Sequence, residues 1–158
     1  MNSRVPVFLL LLLAPSAAGA VITCTFSSTP GMSFGPYNDS SAVATDSATP
    51  IVVRCSRVLG TNNADVVLQL GPSATSGTIA TRQMGSGANR MNYNLYRDAA
   101  RSQVWGQTSG VDTGQLNTGN IGNGSSVNVT FTVFGRIPAL QNVSSGAYSD
   151  SVQLTVSP

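Results

Sequence analysis

The two cysteines, Cys24 and Cys55, are the residues of this chain whose chemistry is easiest to define. A cysteine pair in an exported protein favours a disulfide, and this bridge would close a loop of about 30 residues, worth roughly 3–4 kcal/mol in the chain-entropy model. Two alternatives are weaker. A metal site needs more ligands and a catalytic thiol needs a base, but the chain has no histidine and no third cysteine. We therefore expect a disulfide between Cys24 and Cys55.

The remaining ionisable side chains offer little for catalysis. All eight basic residues are arginine and all six acidic residues are aspartate, which leaves very few candidates for acid–base chemistry near neutral pH. The aspartates are scattered over positions typical of turns, without the spacing of a calcium loop. The formal net charge is +2 and the bases are not clustered, which argues against nucleic-acid binding. The sequence predicts a protein that is not an enzyme, with no metal, no cofactor, no small-molecule substrate and no nucleic-acid partner.

The first 20 residues are typical of a secretory signal peptide. Arg4 precedes a short apolar run that ends at Ala14, and small residues follow at Ala18 and Ala20. The run is too short for a transmembrane helix, and an N-terminal core element is the less favoured alternative. We expect cleavage after Ala20 and export of one domain over residues 21–158, which is long enough to bury a core.

The composition of that domain favours strands and turns. Lysine and glutamate, which favour helices, are absent, while glycine, serine, threonine, asparagine and valine are frequent. Apolar residues alternate with polar ones in several segments, as in half-buried strands. Strands are predicted over 21–26, 50–56, 65–71, 90–96, 127–135 and 152–157, with short ones at 82–87 and 104–106; the segment 110–126 is predicted to be a loop. This pattern predicts an antiparallel sandwich or barrel without a convincing helix.

Two rows of apolar residues in the C-terminal third predict a binding groove. The final strand places three residues on one face, and the longest strand adds a second row. These residues are Val152, Leu154 and Val156, and Val127, Val129, Phe131 and Val133. No sequence follows Pro158 to supply a neighbouring strand. We therefore expect the two rows to wall a groove that a strand of another polypeptide fills by β-strand addition.

Short motifs in a fixed order carry a resemblance to a known family. The order is Cys24, Phe34-Gly35-Pro36-Tyr37, Cys55, Leu70-Gly71, Arg82-Gln83-Met84, Met91-Asn92-Tyr93-Asn94-Leu95-Tyr96, Asp98, Trp105-Gly106, Phe134-Gly135-Arg136-Ile137-Pro138, Gln141 and Gly146-Ala147-Tyr148-Ser149-Asp150-Ser151-Val152. This set resembles the spore coat protein U family, which includes the subunits of archaic chaperone–usher pili. The resemblance covers essentially the whole exported domain, from Cys24 to Val156.

The resemblance implies an incomplete immunoglobulin-like sandwich that lacks its last strand. It also implies a structural pilus subunit, completed first by a periplasmic chaperone and then by a neighbouring subunit, and assembled by an outer-membrane usher into a fimbrium at the cell surface. Only Val21, Ile22 and Thr23 would precede Cys24 after cleavage, too few for a donor strand. We therefore expect a terminal or minor subunit that accepts a strand but does not donate one. The alternative is a secreted spore-coat or cell-surface protein that does not form a pilus.

Overall fold

The regular structure of the described residues consists of eight β-strands. A computed structural model describes residues 21–60 and 62–158, so the predicted signal peptide lies outside the described residues. The strands are β1 (Val21–Ser28), β2 (Thr45–Leu59), β3 (Asp65–Ser73), β4 (Arg82–Ser86), β5 (Asn89–Tyr96), β6 (Gly114–Asn117), β7 (Ser126–Ile137) and β8 (Val152–Ser157). Over the described ranges, no helix has the length and apolar character needed to cross a membrane.

The strands form two antiparallel sheets. The larger sheet has the order β1-β2-β7-β5-β4, and the smaller sheet has the order β6-β3-β8. The longest ladder joins β2 to β7, with Thr45 opposite Ile137 at one end and Ser56 opposite Ser126 at the other. The predicted all-β antiparallel sandwich is confirmed.

The order of the strands is that of an incomplete immunoglobulin-like sandwich. In the seven-stranded immunoglobulin arrangement, strands A, B, E and D form one sheet and C, F and G form the other. Here β1, β2, β7 and β5 occupy the positions of A, B, E and D, while β3 and β8 occupy those of C and F. β4 extends the first sheet and β6 the second. In the part of the chain that the structure describes, no strand occupies the position of G beside β8.

The core lies between the two sheets and follows the alternation read from the sequence. Val53 of β2 and Leu68 of β3 are fully buried, and Phe131 and Val133 of β7 are 3% exposed. Trp105 packs edge-to-face against Phe131, with ring centroids 6.1 Å apart, and its indole Nε1 donates a hydrogen bond to the carbonyl of Leu68. Trp105 is thus a core residue, as expected from its amphipathic side chain.

Three details differ from the predicted strands. The segment 110–126 is not wholly a loop, because Gly114–Asn117 forms β6 on the edge of the smaller sheet. Residues 104–106 contribute only an isolated bridge between Val104 and Tyr96. β2 begins at Thr45 rather than at Pro50, and the proline lies within the strand. The pairing of β2 with β1 reaches only as far as Val52. At Pro50, β2 is therefore paired on one side only, like an edge strand, and proline is tolerated in that position.

Candidate functional site: an open groove beside the last strand

The site begins with the free edge of β8. One side of this strand pairs with β3, placing Leu70 opposite Leu154 and Leu68 opposite Val156. No strand among residues 21–60 and 62–158 pairs with its other side. β1 is the corresponding edge of the larger sheet, and parts of β1 and β8 come within 8 Å of each other between Cα atoms. A strand edge left unpaired in this way offers backbone donors and acceptors to another chain.

A cavity of about 460 Å³ opens next to this edge. One wall is the irregular segment that follows β1, from Thr29 to Phe34, and the other runs from Tyr148 through the start of β8 to Leu154. Between the walls lie mainly apolar side chains from five strands of both sheets. They are Ile51, Leu70, Met84, Tyr93, Leu95 and Val133.

A second cavity, of about 760 Å³, continues the first one. It lies between residues 32–39 and residues 143–148, with Met84, Met91 and Ile137 at its base. Four residues line both cavities and join them into one trough, which we call the open groove. They are Met32, Phe34, Met84 and Tyr148.

The first wall is irregular but well anchored. The Tyr37 hydroxyl donates a hydrogen bond to the carbonyl of Pro138 (2.9 Å) and accepts one from the backbone N–H of Gln141 (2.8 Å). The ring of Phe34 packs edge-to-face on Tyr93, with centroids 6.0 Å apart. Phe34 and Tyr37 thus tie this segment to the rest of the domain.

Asp150 anchors the second wall. Its carboxylate accepts hydrogen bonds from the Tyr93 hydroxyl (2.6 Å) and from both the backbone N–H and the hydroxyl of Thr75 (3.0 and 2.9 Å). Partial burial acts to raise the pKa of Asp150, but hydrogen bonds from Tyr93, Ser73 and Thr75 outweigh it and hold the pKa below its usual value. Burial, together with the hydrogen bond to Asp150, raises the pKa of Tyr93. The pair is therefore a tyrosine donor on a carboxylate acceptor, with no proton to exchange near neutral pH.

An interior arginine holds β4 to the smaller sheet. Arg82 is fully buried, and its guanidinium donates hydrogen bonds to the carbonyls of Leu70, Gly71 and Trp105 and to Oδ1 of Asn94, at 2.7–3.3 Å. Burial lowers the pKa of Arg82, but arginine stays charged in proteins. Next to it, Gly85 of β4 pairs with Ser149 at the start of the second wall. From the sequence, Arg82 was noted only as part of a family motif. Its burial was not foreseen, because a lone charged residue in a short strand gives no signal of burial.

Only some of the groove residues named from the sequence line the open groove. Val133, Val152 and Leu154 line the groove, whereas Val156 is partly buried and lies outside the cavity lining. Val129 and Phe131 belong to the core, and Val127 is partly buried against it. They lie on β7, which pairs with β2 along its whole length but with β5 only from Phe134 to Arg136. The groove-lining segments 29–39 and 143–148 were not predicted from the sequence, because apolar and polar residues do not alternate in either segment.

The cysteines lie on neighbouring strands and form the predicted disulfide. Cys24 of β1 and Cys55 of β2 are register partners in the antiparallel ladder, and a disulfide joins them. Cys55 is fully buried. The bridge fixes the edge strand that borders the open side of the sandwich.

No cluster of side chains suited to metal binding appears in the described ranges. No group of three or more metal-ligating histidine, cysteine, aspartate or glutamate side chains occurs there. Away from the groove, the carboxylate of Asp46 forms ion pairs with Arg136 (2.8 Å) and Arg101 (3.3 Å). The hydrogen bond from Arg136 lowers the pKa of Asp46, so this cluster is a paired surface charge.

Comparisons with known proteins agree with the family that the motifs suggest. The family model described as Spore Coat Protein U domain matches residues 11–155. Protein U of Myxococcus xanthus is 32% identical over 133 residues, which cover 79% of this chain and 70% of that protein. A solved structure titled "Chaperone-tip adhesin complex is vital for synergistic activation of CFA/I fimbriae biogenesis" aligns with 87% of this chain at a TM-score of 0.42 and 12% identity, and this chain spans 42% of that one. The family match and the identity to Protein U establish that the chain belongs to the Spore Coat Protein U family.

Proposed function

We propose that this protein is a structural, non-enzymatic subunit whose open groove is completed by a β-strand of another polypeptide. The observation that carries the proposal is a difference in burial between paired strands. Leu68 and Leu70 of β3 are at most 1% exposed, while their register partners Val156 and Leu154 are only partly buried. An added strand beside β8 would cover those partners.

The binding free energy of such a strand would come from its backbone hydrogen bonds and from every second side chain. Its backbone would pair with the free edge of β8, and every second side chain would enter the groove. Burying an apolar side chain contributes about 1.5–3 kcal/mol, so three of them contribute roughly 5–9 kcal/mol before the cost of ordering the strand. The donor is an extended segment with an apolar residue at every second position.

The donors that best fit this role are a periplasmic chaperone during export and a neighbouring subunit after assembly. In this scheme an outer-membrane usher assembles the subunits and the product is a fimbrium on the cell surface. The disulfide of the domain and its family membership support the scheme. The first 20 residues would serve as the signal peptide.

A second candidate is a secreted coat or surface protein of the same fold that forms no pilus. The identity to Protein U of Myxococcus xanthus and the description of the family favour it. The two candidates differ in where the protein accumulates: a coat protein reaches the envelope without an usher, whereas a pilus subunit requires one.

The decisive experiment compares two faces of β8. The tagged full-length chain is exported to a bacterial periplasm with and without a fimbrial chaperone, and capture of the chaperone is measured. Leu154→Asp puts a charge into the groove, and Thr155→Asp, its matched control, puts the same charge on the exposed face of the strand. An unpaired buried charge costs several kcal/mol, so Leu154→Asp should reduce capture at least about 100-fold.

The Thr155→Asp variant should be captured like the unmodified chain. Equal capture of the two variants would refute the groove as the binding site. A soluble monomer that needs no partner, with all β8 amides protected from hydrogen exchange, would refute strand completion itself.

A further inference from the structure

The open groove is lined by every methionine of the described residues. Met32 lies in the first wall, and Met84 and Met91 are register partners in the β4–β5 hairpin at its base. Met1 is the one other methionine of the sequence. Methionine is flexible and fills irregular gaps, so a strand-binding groove benefits from it, but its thioether sulfur is also open to oxidation.

The three side chains differ in their access to solvent. Met91 is 4% exposed, whereas Met32 and Met84 are partly exposed and line both cavities of the groove. The sulfur of Met32 lies against Gly135 of β7, where a Cβ atom would clash with it, and the edge of the Phe34 ring occupies the same place. This sulfur is therefore packed on one side against Gly135 and Phe34, while Met32 as a whole is partly exposed in the groove.

We propose that Met32 and Met84 are oxidation sites that control whether the groove accepts a strand. This inference rests on the proposed function and adds a mode of regulation to it. The oxidant is a peroxide. With hydrogen peroxide, the thioether sulfur attacks one peroxide oxygen and the S–O bond forms as the O–O bond breaks. The proton on the transferred oxygen passes to the departing hydroxide, which leaves as water. The sulfur loses the two electrons that the peroxide gains.

The product, methionine sulfoxide, is polar and chiral. In the groove it faces Phe34 and the other apolar residues of the walls, where a polar group without a hydrogen-bond partner is costly to bury. A donor strand would have to cover it. Oxidation thus weakens strand binding, and a bound strand in turn shields the two sulfurs from oxidant.

The test uses the full chain, hydrogen peroxide and tryptic peptide mass spectrometry. Cleavage after Arg82 and Arg90 places Met84 and Met91 in separate peptides, and Met32 lies in a third. In the free chain we expect Met32 and Met84 to form sulfoxide at least about ten times faster than Met91. In the chain already bound to its chaperone, both should be protected.

The consequence is measured as chaperone capture after peroxide treatment. The oxidised chain should be captured at least about ten times less well, and treatment with methionine sulfoxide reductases A and B should restore capture. The Met32→Leu/Met84→Leu variant, whose side chains are similar in size and cannot be oxidised, should be captured equally well before and after peroxide.

Three results overturn the inference: equal oxidation rates at all three methionines, undiminished capture of the oxidised chain, or the same peroxide-induced loss in the double leucine variant. Each can occur while the untreated chain is still captured, in which case the proposed function stands. If the untreated chain is not captured, the proposed function fails, and the inferred control of strand binding fails with it.

Discussion

Replacing the buried Arg82 tests whether its guanidinium links β4, at the base of the groove, to the smaller sheet. Arg82→Met keeps an unbranched side chain but removes the guanidinium. The oxygen atoms that accept hydrogen bonds from the guanidinium therefore lose a donor. One of these, the carbonyl of Trp105, has Arg82 as its only observed hydrogen-bond partner in the described part of the chain. Oδ1 of Asn94 keeps a second hydrogen bond, from the backbone N–H of Leu95.

The magnitude follows from the number of acceptors left without a partner. A buried acceptor that loses its donor costs about 1–3 kcal/mol. The Trp105 carbonyl loses its only donor, while the carbonyls of Leu70 and Gly71 lose charge-assisted bonds. We expect the free energy of unfolding to fall by about 3–5 kcal/mol, because removing one side of a buried charged network is strongly destabilising. Arg82→Lys should recover only part of the loss, since an ammonium cannot reproduce the planar fork of donors.

Urea denaturation of the full chain, followed by the fluorescence of Trp105, measures the change. The matched control is Arg90→Met on the adjacent strand of the same hairpin. Arg90 is exposed and donates only to the nearby carbonyls of Gly87 and Asn89, so its loss should change stability by no more than about 0.5 kcal/mol. If Arg82→Met were as stable as Arg90→Met, the guanidinium would not be the link between β4 and the smaller sheet.

Two further predictions concern the borders of the groove. Replacing Cys24 and Cys55 by serine should lower the free energy of unfolding by about 3–4 kcal/mol, since the bridge closes a loop with a sequence separation of 31; equal denaturation midpoints with and without reductant in the unmodified chain would contradict this. The contribution of Asp150 to stability should be complete above its unfolded pKa of about 3.9 and disappear as the pH falls through its lower folded pKa. In the Asp150→Asn variant, the free energy of unfolding should therefore fall less steeply between pH 6 and pH 2, as measured by denaturation at a series of pH values. An unchanged pH dependence would mean that other carboxylates cause the loss of stability in acid.

The alternation of apolar residues made most of the fold predictable. In β7, for example, Val129, Phe131 and Val133 face the core while Thr130 and Thr132 are exposed, a period of two that local sequence reveals directly. β6 was not predicted because the strand has only four residues, begins with glycine and is mostly exposed. A loop would show the same features as this edge strand.

The groove was predictable only in part, for a physical reason. Alternation shows which face of a strand is apolar, but it does not show which strands are neighbours. From the sequence, Phe131 and Leu154 were therefore expected to form two walls of one groove, although Phe131 of β7 packs in the core of the sandwich and β8 is an edge of the other sheet. The wall from Thr29 to Phe34 is irregular, and only its tertiary contacts identify it.

The position of the polar groups suggests why an unfilled groove keeps its shape. Apolar packing has no preferred direction, so a cleft of this size lined only by apolar side chains would tend to close on itself. Hydrogen bonds have fixed geometry, and two groups of them link the two sheets at the cleft: Arg82 ties β4 to β3, and Asp150 ties the second wall to Tyr93 of β5. A third hydrogen bond, from Tyr37 to the carbonyl of Pro138, ties the first wall to the end of β7. The interior polar residues therefore fix the distance between the walls, while the apolar residues between them supply the affinity for the strand we propose.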